Sequence, residues 1–181
     1  MTASSASKAP GERALVTTPL YHAAGVLRIM NAAIKGGTVV LMEHFESTEF
    51  VTTLERERIN SCNMVPAIIQ ALVDEFPDLA TRDFSALRVI YYGAAPISEA
   101  LLRRALAVFG CDLIQGYGLT ESTGGVAYLN EVDHALALAG RSELLRSTGR
   151  AVVLADLRIV DASGRELPAG EIGELVVRGP N

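Results

Sequence analysis

A hydroxyl and a carboxylate stand side by side in the stretch QGYGLTEST, residues 115–123, directly after two glycines. The Thr120 hydroxyl is able to donate to a phosphate oxygen, and the Glu121 carboxylate is a ligand of the type that Mg²⁺ prefers. Gly116 and Gly118 lack a Cβ, so a ligand can approach their backbone closely. One interpretation of this stretch is phosphate and magnesium chemistry, and the other is an ordinary loop with a helix-capping threonine.

A second small-residue segment, GAAP (93–96), follows the apolar run RVIYY (88–92). The stretch GYGLTE follows another strand-like run, CDLIQ (111–115), in the same way. In open α/β sheets, ligands bind at the carboxyl ends of the strands. If the two runs are parallel neighbours, both small-residue segments leave the sheet at one edge, and that edge becomes a cleft.

The rest of the chain supplies the elements that such a cleft needs. Segments of helical periodicity alternate with short apolar runs at residues 38–42, 61–65, 88–92 and 111–115. Pro66 suits the first turn of one helix, while Ser98 and Gly110 suit the start and the end of another. This βαβαβαβ pattern predicts an α/β fold with a parallel sheet flanked by helices.

Changes in composition predict three parts of the chain. Residues 1–12 are rich in alanine and serine and are interpreted as a disordered tail. Residues 13–146 carry the α/β pattern. Residues 147–181 contain strand-like runs separated by a Ser-Gly turn, which predicts a small β-rich unit.

Composition also narrows the functional classes. The 181 residues carry a formal net charge of −5 without a lysine and arginine cluster, which argues against nucleic acid as a partner. Cys62 and Cys111 lie far from each other and from any histidine cluster, which indicates buried thiols and not a disulfide or a zinc site. No apolar run approaches the roughly 18 residues of a membrane span, and the N-terminal stretch lacks the apolar region of a secretory signal. We therefore expect a cytoplasmic protein without a transmembrane segment, and its oligomeric state stays open.

Other nucleotide-binding and hydrolase motifs fit the sequence poorly. Gly116-Tyr117-Gly118 begins like the dinucleotide pattern G-x-G-x-x-G, but Glu121 occupies the third glycine position, where its charge would repel a pyrophosphate. The Walker A pattern and the G-x-S-x-G elbow of serine hydrolases are absent from the sequence.

In combination, QGYGLTE after a strand and GAAP upstream resemble the adenylate-forming superfamily, which comprises acyl- and aryl-CoA synthetases, luciferases and peptide-synthetase adenylation domains. The stretch TTPLYHAAGV (17–26) resembles the Pro-Leu-Tyr-His segment of that family, and residues 147–181 resemble the segment that begins its small β-barrel subdomain. The resemblance covers residues 13–181. It implies a ligase that uses ATP to activate a carboxylic acid as an acyl-adenylate and then transfers the acyl group to coenzyme A.

The resemblance implies a nucleotide-binding role for Gly116 and Gly118 and an adenine-binding role for six further residues. One wall of the adenine slot would consist of small residues, namely Gly93, Ala94, Ala95 and Pro96. Tyr117, between Gly116 and Gly118, would stack on the other face of the base. Gln115 would reach the exocyclic amine of adenine.

Three further residues are implied to be catalytic. Thr120 would hydrogen-bond the α-phosphate, Glu121 would hold Mg²⁺, and His22 would lie where the carboxylate of the acid meets the thiol tunnel. The small residues Ser122 to Gly125 line the acyl pocket in one interpretation and only permit a turn in the other. Because Ala23, Ala24 and residues 123–126 are small and the chain has no tryptophan, we expect a fatty or aryl acid and not acetate.

Several family segments have no counterpart in this sequence: the loop whose lysine grips the outer phosphates, the Tyr-Arg-Thr-Gly-Asp stretch that holds the ribose, and the mobile C-terminal domain with its lysine. We therefore interpret the 181 residues as the central fragment of such an enzyme. By themselves they are expected to show no acid-dependent ATP–pyrophosphate exchange. Two alternatives are a non-catalytic protein that keeps the nucleotide cleft and a part of a peptide-synthetase adenylation domain.

Overall fold

The computed structural model describes residues 11–180, which form a seven-stranded sheet, its flanking helices and a separate pair of strands. The strands are β1 (Arg13–Val16), β2 (Thr38–Leu41), β3 (Ser61–Met64), β4 (Val89–Gly93), β5 (Asp112–Leu119), β6 (Gly124–Leu129), β7 (Arg150–Ala151), β8 (Asp156–Val160) and β9 (Glu174–Arg178). The α-helices are α1 (Ala23–Lys35), α2 (Ser47–Arg56), α3 (Pro66–Glu75), α4 (Glu99–Phe109) and α5 (Glu131–Leu138). Short 3₁₀ helices cover Leu79–Thr81 and Ser142–Arg146. Within this described range, no helix combines the length and the apolar character that crossing a membrane requires.

The strand order of the large sheet is β2-β1-β3-β4-β5-β6-β7. Strands β1 to β5 pair in parallel, while β6 and β7 extend the sheet beyond β5 in antiparallel orientation. The predicted α/β fold is confirmed, including the Ser98 cap and the Gly110 end of α4. The sequence patterns missed β1, α1 and β6.

Strand β5 continues through the stretch that the sequence predicts as a loop. It extends to Leu119, and only residues 120–123 turn back into β6. Glycine-rich segments favour loops locally, but here the backbone of β6 satisfies the hydrogen bonds of Gly116 and Gly118 along the sheet edge.

The hydrophobic core lies on one face of the sheet, beneath α2, α3 and α4. Its central row consists of register partners on neighbouring strands, namely Leu15, Cys62, Ile90 and Leu113. Because side chains alternate along a strand, the next positions on the same face are Tyr92 of β4 and its register partner Gln115 of β5. The row therefore turns from apolar to polar as it approaches the carboxyl edge of the sheet.

Close backbone contact joins β4 to β5 and β5 to β6 at glycines. A Cβ on Gly93 would lie 2.2 Å from the carbonyl oxygen of its register partner Gly116. A Cβ on Gly118 would lie 1.9 Å from the carbonyl oxygen of Gly124. Both distances are far below contact distance, so strand pairing alone requires glycine at positions 93 and 118, apart from any ligand.

Glu12 belongs to the predicted tail but is buried in the folded chain. Its carboxylate accepts a hydrogen bond from Ser61 Oγ at 2.6 Å and forms ion pairs with Arg28 at 3.3 Å and Lys35 at 3.7 Å. These partners compensate the loss of hydration that an isolated buried charge would suffer. Glu12 is thus anchored to the sheet and to α1, while positions 1–10 of the predicted tail lie outside the described residues.

The predicted β-rich segment divides between two sheets. Its first strand, β7, pairs with β6 in the large sheet, whereas β8 and β9 form a separate antiparallel pair. Asp156 of β8 forms exposed ion pairs with Arg158 at 3.0 Å and with Arg178 of β9 at 3.1 Å. A β-barrel at this end of the chain stays a prediction, because two strands do not close a barrel.

Helix α5 docks on the sheet through the buried imidazole of His134, which is 2% exposed. Its Nδ1 lies 2.7 Å from the Asn130 carbonyl oxygen, and its Nε2 lies 2.9 Å from the Tyr92 hydroxyl. Burial lowers the pKa of His134 below its ordinary value of 6.5. Smaller opposing influences come from the Asn130 carbonyl and from three carboxylates, those of Asp133, Glu131 and Asp112.

We predict that Gly93→Ala lowers the free energy of unfolding by about 2–3 kcal/mol, because the new methyl group collides with backbone and not with a movable side chain. Gly110→Ala is the matched control: it also replaces a glycine, but nothing lies within 4 Å of its Cβ position. The alanine at position 110 would be strained only by its left-handed φ of 58°, so we expect a loss of about 1 kcal/mol. Chemical denaturation measures both, and equal losses would contradict the steric argument.

We also predict that acidification removes the stability that depends on neutral His134. Because the folded-state pKa lies below the unfolded value near 6.5, the unfolded chain takes up the proton first as the pH falls. This stability is present above pH 6.5 and decreases as the pH falls toward the folded-state pKa. Denaturation between about pH 7 and pH 5 should show the stability difference between wild type and His134→Gln becoming smaller. A difference that stays constant would contradict the prediction.

Candidate functional site

Three of the sequence motifs lie at the carboxyl edge of the parallel sheet. The GAAP segment follows β4, the turn at 120–123 follows β5, and the segment Thr17–His22 follows β1. Parallel strands point their carboxyl ends the same way, so these three segments leave the sheet on the same side. The predicted juxtaposition of the first two segments is present, with Gly93 and Gly116 as register partners. Strand β1, which the sequence did not reveal, adds the third.

The small residues after β4 present an exposed and strained backbone. Ala94, Ala95 and Pro96 are all exposed, and Ala94 has a φ of 65°. Residues 11–180 contain three non-glycine residues with positive φ, and two of them, Ala94 and Thr123, lie in the segments of this edge. Such conformations cost free energy and cluster at binding and catalytic sites.

Gln115 and Tyr117 lie in the second half of β5, before the turn at residues 120–123, and both are half-buried. The register between β5 and β6 shifts between Tyr117 and Gly118. An irregularity of this kind bends a strand locally and changes the direction of a side chain. Gln115 Oε1 lies 3.4 Å from the hydroxyl of Tyr92 on the neighbouring strand.

The turn between β5 and β6 holds Thr120 and Glu121 at the surface, where both side chains are exposed. The Thr123 amide donates to the Thr120 carbonyl at 3.0 Å, which closes the turn. Ser122 Oγ accepts from the Leu119 amide at 3.0 Å, so this serine stabilises the turn. Being only 8% exposed, Ser122 fits the turn interpretation better than the acyl-pocket interpretation.

His22 marks the beginning of α1. Its backbone is extended, its amide donates to the Pro19 carbonyl at 3.0 Å, and its side chain makes no capping hydrogen bond. The imidazole is exposed and lies 4.6 Å from the Tyr21 ring, measured between centroids. Because α1 packs against β6, the histidine is tied to the strand that follows the Thr120 turn.

The residues of this edge fit a magnesium ion that arrives with a nucleotide. Within residues 11–180, no group of three or more histidine, cysteine, aspartate or glutamate side chains could hold a metal. Mg²⁺ is commonly held by one or two carboxylates together with substrate phosphates and water. The exposed carboxylate of Glu121 fits a Mg²⁺ ion that is bound jointly by the protein, the substrate phosphates and water.

Sequence reasoning missed two residues behind the predicted site, Tyr92 and His134. Tyr92 contacts Gln115 and His134, and both of these contacts join residues distant in sequence. The one local signal was the stretch NEVDH, in which Asn130 and Asp133 form a capping box that fixes the first turn of α5. That signal predicts the helix but not its partner on the sheet.

Comparison with known proteins shows to which family this chain is similar. The AMP-binding enzyme family matches residues 1–181. A medium/long-chain-fatty-acid–CoA ligase, FadD8 of Mycobacterium tuberculosis, is 36% identical over 168 residues, which are 93% of this chain and 28% of the relative. Feruloyl-CoA synthase of an Amycolatopsis species is 37% identical over 174 residues, which are 96% of this chain and 34% of the relative.

The fold is similar to that of a solved enzyme, the amide bond synthetase McbA from Marinactinospora thermotolerans. The TM-score is 0.84 at 35% identity, covering 96% of this chain and 34% of that one. The chain thus spans between 28% and 34% of the length of these three proteins. By the match over its whole length and by its fold, the chain belongs to the AMP-binding enzyme family, as the sequence motifs predict.

Proposed function

We propose that this chain is the nucleotide- and acid-binding part of an AMP-forming carboxylic acid–CoA ligase. The observation that carries the proposal is the convergence of the GAAP segment, the Thr120–Thr123 turn and His22 on one edge of the sheet. Each segment offers a different chemical group there: a small-residue wall, a hydroxyl beside a carboxylate, and an imidazole. Together they fit the base, the phosphate with its cation, and the acid of an acyl-adenylate.

The adenine would lie between the backbone after β4 and the ring of Tyr117. Small exposed side chains at Ala94 and Ala95 leave room for a flat base, which larger side chains would obstruct. The backbone of this wall adopts a strained conformation at Ala94, whose positive φ is uncommon for residues other than glycine. Stacking of a base on an aromatic ring contributes on the order of 1–3 kcal/mol to binding.

The phosphate would lie at the turn that follows β5. Thr120 would donate its hydroxyl to the α-phosphate, and Glu121 would bind the Mg²⁺ that accompanies the nucleotide. That cation supplies neutralisation of negative charge on the phosphates. The hydrogen bonds of Ser122 and Thr123 keep the turn rigid, so Thr120 is positioned before substrate arrives.

The proposed reaction has two steps. A carboxylate oxygen of the acid attacks the α-phosphorus, and the bond to pyrophosphate breaks. The thiol of coenzyme A then attacks the carbonyl carbon of the acyl-adenylate, its proton is lost, and AMP leaves. We assign His22 to the place where the acid carboxylate is bound, because its exposed imidazole makes no hydrogen bond to its own helix.

We propose a fatty or aryl acid as the substrate class. The named relatives act, by their names, on medium- and long-chain fatty acids and on a feruloyl group. Three positions at the start of α1 and in β6 have small side chains, namely Ala23, Ala24 and Gly125. Such residues leave space for an acyl group larger than acetyl.

We predict that Tyr117→Ala weakens binding of a non-hydrolysable acyl-adenylate analogue by about tenfold or more, because the stacking surface is lost. Tyr117→Phe keeps the ring and should bind as wild type does. Thr120→Ala should weaken the acyl-adenylate analogue but leave adenosine binding unchanged. Titration calorimetry on the 181-residue chain measures all four proteins. Wild-type affinity in Tyr117→Ala would show that the ring only packs, and a wild-type chain that binds no analogue would refute the proposed function.

We also predict that affinity rises along a series of acyl-sulfamoyl adenosines from acetyl through hexanoyl to decanoyl or feruloyl. Each added methylene that is buried contributes about 0.8 kcal/mol. The adenosine part is constant in the series, so differences report the acyl pocket alone. Tightest binding of the acetyl compound would refute the substrate class while leaving the adenylate site intact.

A further inference from the structure

A chain of buried hydrogen bonds runs from helix α5 to Gln115, the residue proposed to meet the amine of adenine. His134 is 2% exposed and Tyr92 is 3% exposed. The links are His134 Nδ1 to the Asn130 carbonyl oxygen at 2.7 Å, His134 Nε2 to Tyr92 Oη at 2.9 Å, and Tyr92 Oη to Gln115 Oε1 at 3.4 Å. The direction in which each link donates decides what Gln115 can offer to a ligand.

The Asn130 carbonyl, at one end of this chain of hydrogen bonds, can only accept, and it therefore fixes the donor and acceptor roles of the other groups. A backbone carbonyl has no proton to give, so the short contact of Asn130 requires the proton on His134 Nδ1. A neutral imidazole then carries a lone pair on Nε2. Burial keeps His134 neutral, since it lowers the pKa of the imidazole. The Tyr92 hydroxyl therefore donates to Nε2, which is also the shorter of its two contacts.

The position of Asn130 is itself fixed. Its side chain accepts from the Asp133 amide at 3.0 Å, and the Asp133 carboxylate accepts from the Asn130 amide at 3.3 Å. Asp133 is 1% exposed, and Arg150 Nη1 lies 2.6 Å from both of its carboxylate oxygens. This cap holds the Asn130 carbonyl, and through it the orientation of the His134 ring.

A tyrosine hydroxyl can donate only one hydrogen bond, and here Tyr92 donates it to His134 Nε2. The Tyr92 oxygen can then only accept from Gln115. In the structure Gln115 Oε1 is the amide atom nearest to the Tyr92 hydroxyl, so this polarity requires the amide to be turned by about 180° to bring its nitrogen to face Tyr92. The two ends of a side-chain amide have nearly the same shape, and hydrogen-bond polarity decides which end faces a given neighbour. The amide oxygen of Gln115 consequently points away from Tyr92 and is available to accept.

We propose that Tyr92 and His134 are positioning residues that hold Gln115 with its amide oxygen toward the nucleobase, and that this arrangement selects adenine over 6-oxopurines. The exocyclic amine of adenine donates to that oxygen. The 6-oxo group of hypoxanthine or guanine would face it with a second acceptor. The inference rests on the proposed function, because it assumes that Gln115 meets the base.

The binding test compares two ligands that differ only at this position of the base. The probes are the acyl-sulfamoyl adenosine that binds best in the graded series and its inosine counterpart. Wild-type protein should prefer the adenosine compound by at least about tenfold, since an unpaired acceptor at a polar site is costly. Tyr92→Phe keeps the ring but frees the Gln115 amide, so the preference should fall below about threefold.

Variants of His134 separate a role in polarity from a role in packing. His134→Leu removes the acceptor, so the Tyr92 hydroxyl turns to the Gln115 oxygen and the preference should be lost or reversed. His134→Gln restores an acceptor and should recover part of the preference. Tyr91→Phe is the matched control, since Tyr91 precedes Tyr92 on β4 and its ring instead lies under Arg28 on the opposite face of the sheet. It should keep the wild-type preference.

Nitrogen chemical shifts of the His134 ring test the polarity without any nucleotide, and should show the proton on Nδ1 at neutral pH. A proton on Nε2, or a Tyr92→Phe variant with the full wild-type preference, would overturn the inference. Equal binding of both probes by wild type would overturn the inference alone, because the adenylate site would still be occupied. Failure of wild type to bind either probe would overturn the proposed function and this inference with it.

Discussion

The close approach of β4 and β5 is the constraint on which the site depends. The backbone of Gly93 lies so near the Gly116 carbonyl that no Cβ fits between them. The contact occurs at the last paired residue of β4, where the chain leaves the sheet for the GAAP segment. The distance between the two segments at the edge is therefore set by main-chain hydrogen bonds and not by side chains. A flat ligand placed there meets walls whose spacing is nearly fixed.

Pairing with antiparallel β6 makes the carboxyl end of β5 rigid. Without a partner, the glycine-rich end of β5 would be a flexible loop, because glycine loses the most conformational freedom on ordering. Pairing with β6 extends β5 to Leu119 and confines the turn to residues 120–123. Thr120 and Glu121 therefore lie at a rigid hairpin end. In the proposed reaction, a hydroxyl held in this way needs no reorganisation when charge develops on the phosphate.

The face of the sheet that carries the core also carries the polar chain behind Gln115. Two residues beyond Ile90 and Leu113, the same face presents Tyr92 and Gln115, which are register partners. Helix α5 closes this end of the core with His134, whose two ring nitrogens both have partners. Burial of a polar group is costly unless its hydrogen bonds are made. The network therefore joins the stability of the core to Gln115, a residue of the proposed site.

Much of this protein follows from its sequence. The alternation of apolar runs with helical segments predicts the parallel sheet, because each pattern matches the period of its element. The motifs GAAP and QGYGLTE predict the family and place two segments at one edge. These inferences succeed because they depend on local spacing and on the direction that parallel strands share.

The rest was decided by contacts between residues distant in sequence. Glycines at 93 and 118 look like loop residues until the backbone oxygens of Gly116 and Gly124 are placed against them. Glu12 looks like part of a polar tail until Ser61, Arg28 and Lys35 surround it. The hydrogen bonds of His134 to Asn130 and Tyr92 form only after α5 has docked on the sheet. Local propensity carries no information on such contacts, so only the tertiary structure reveals them.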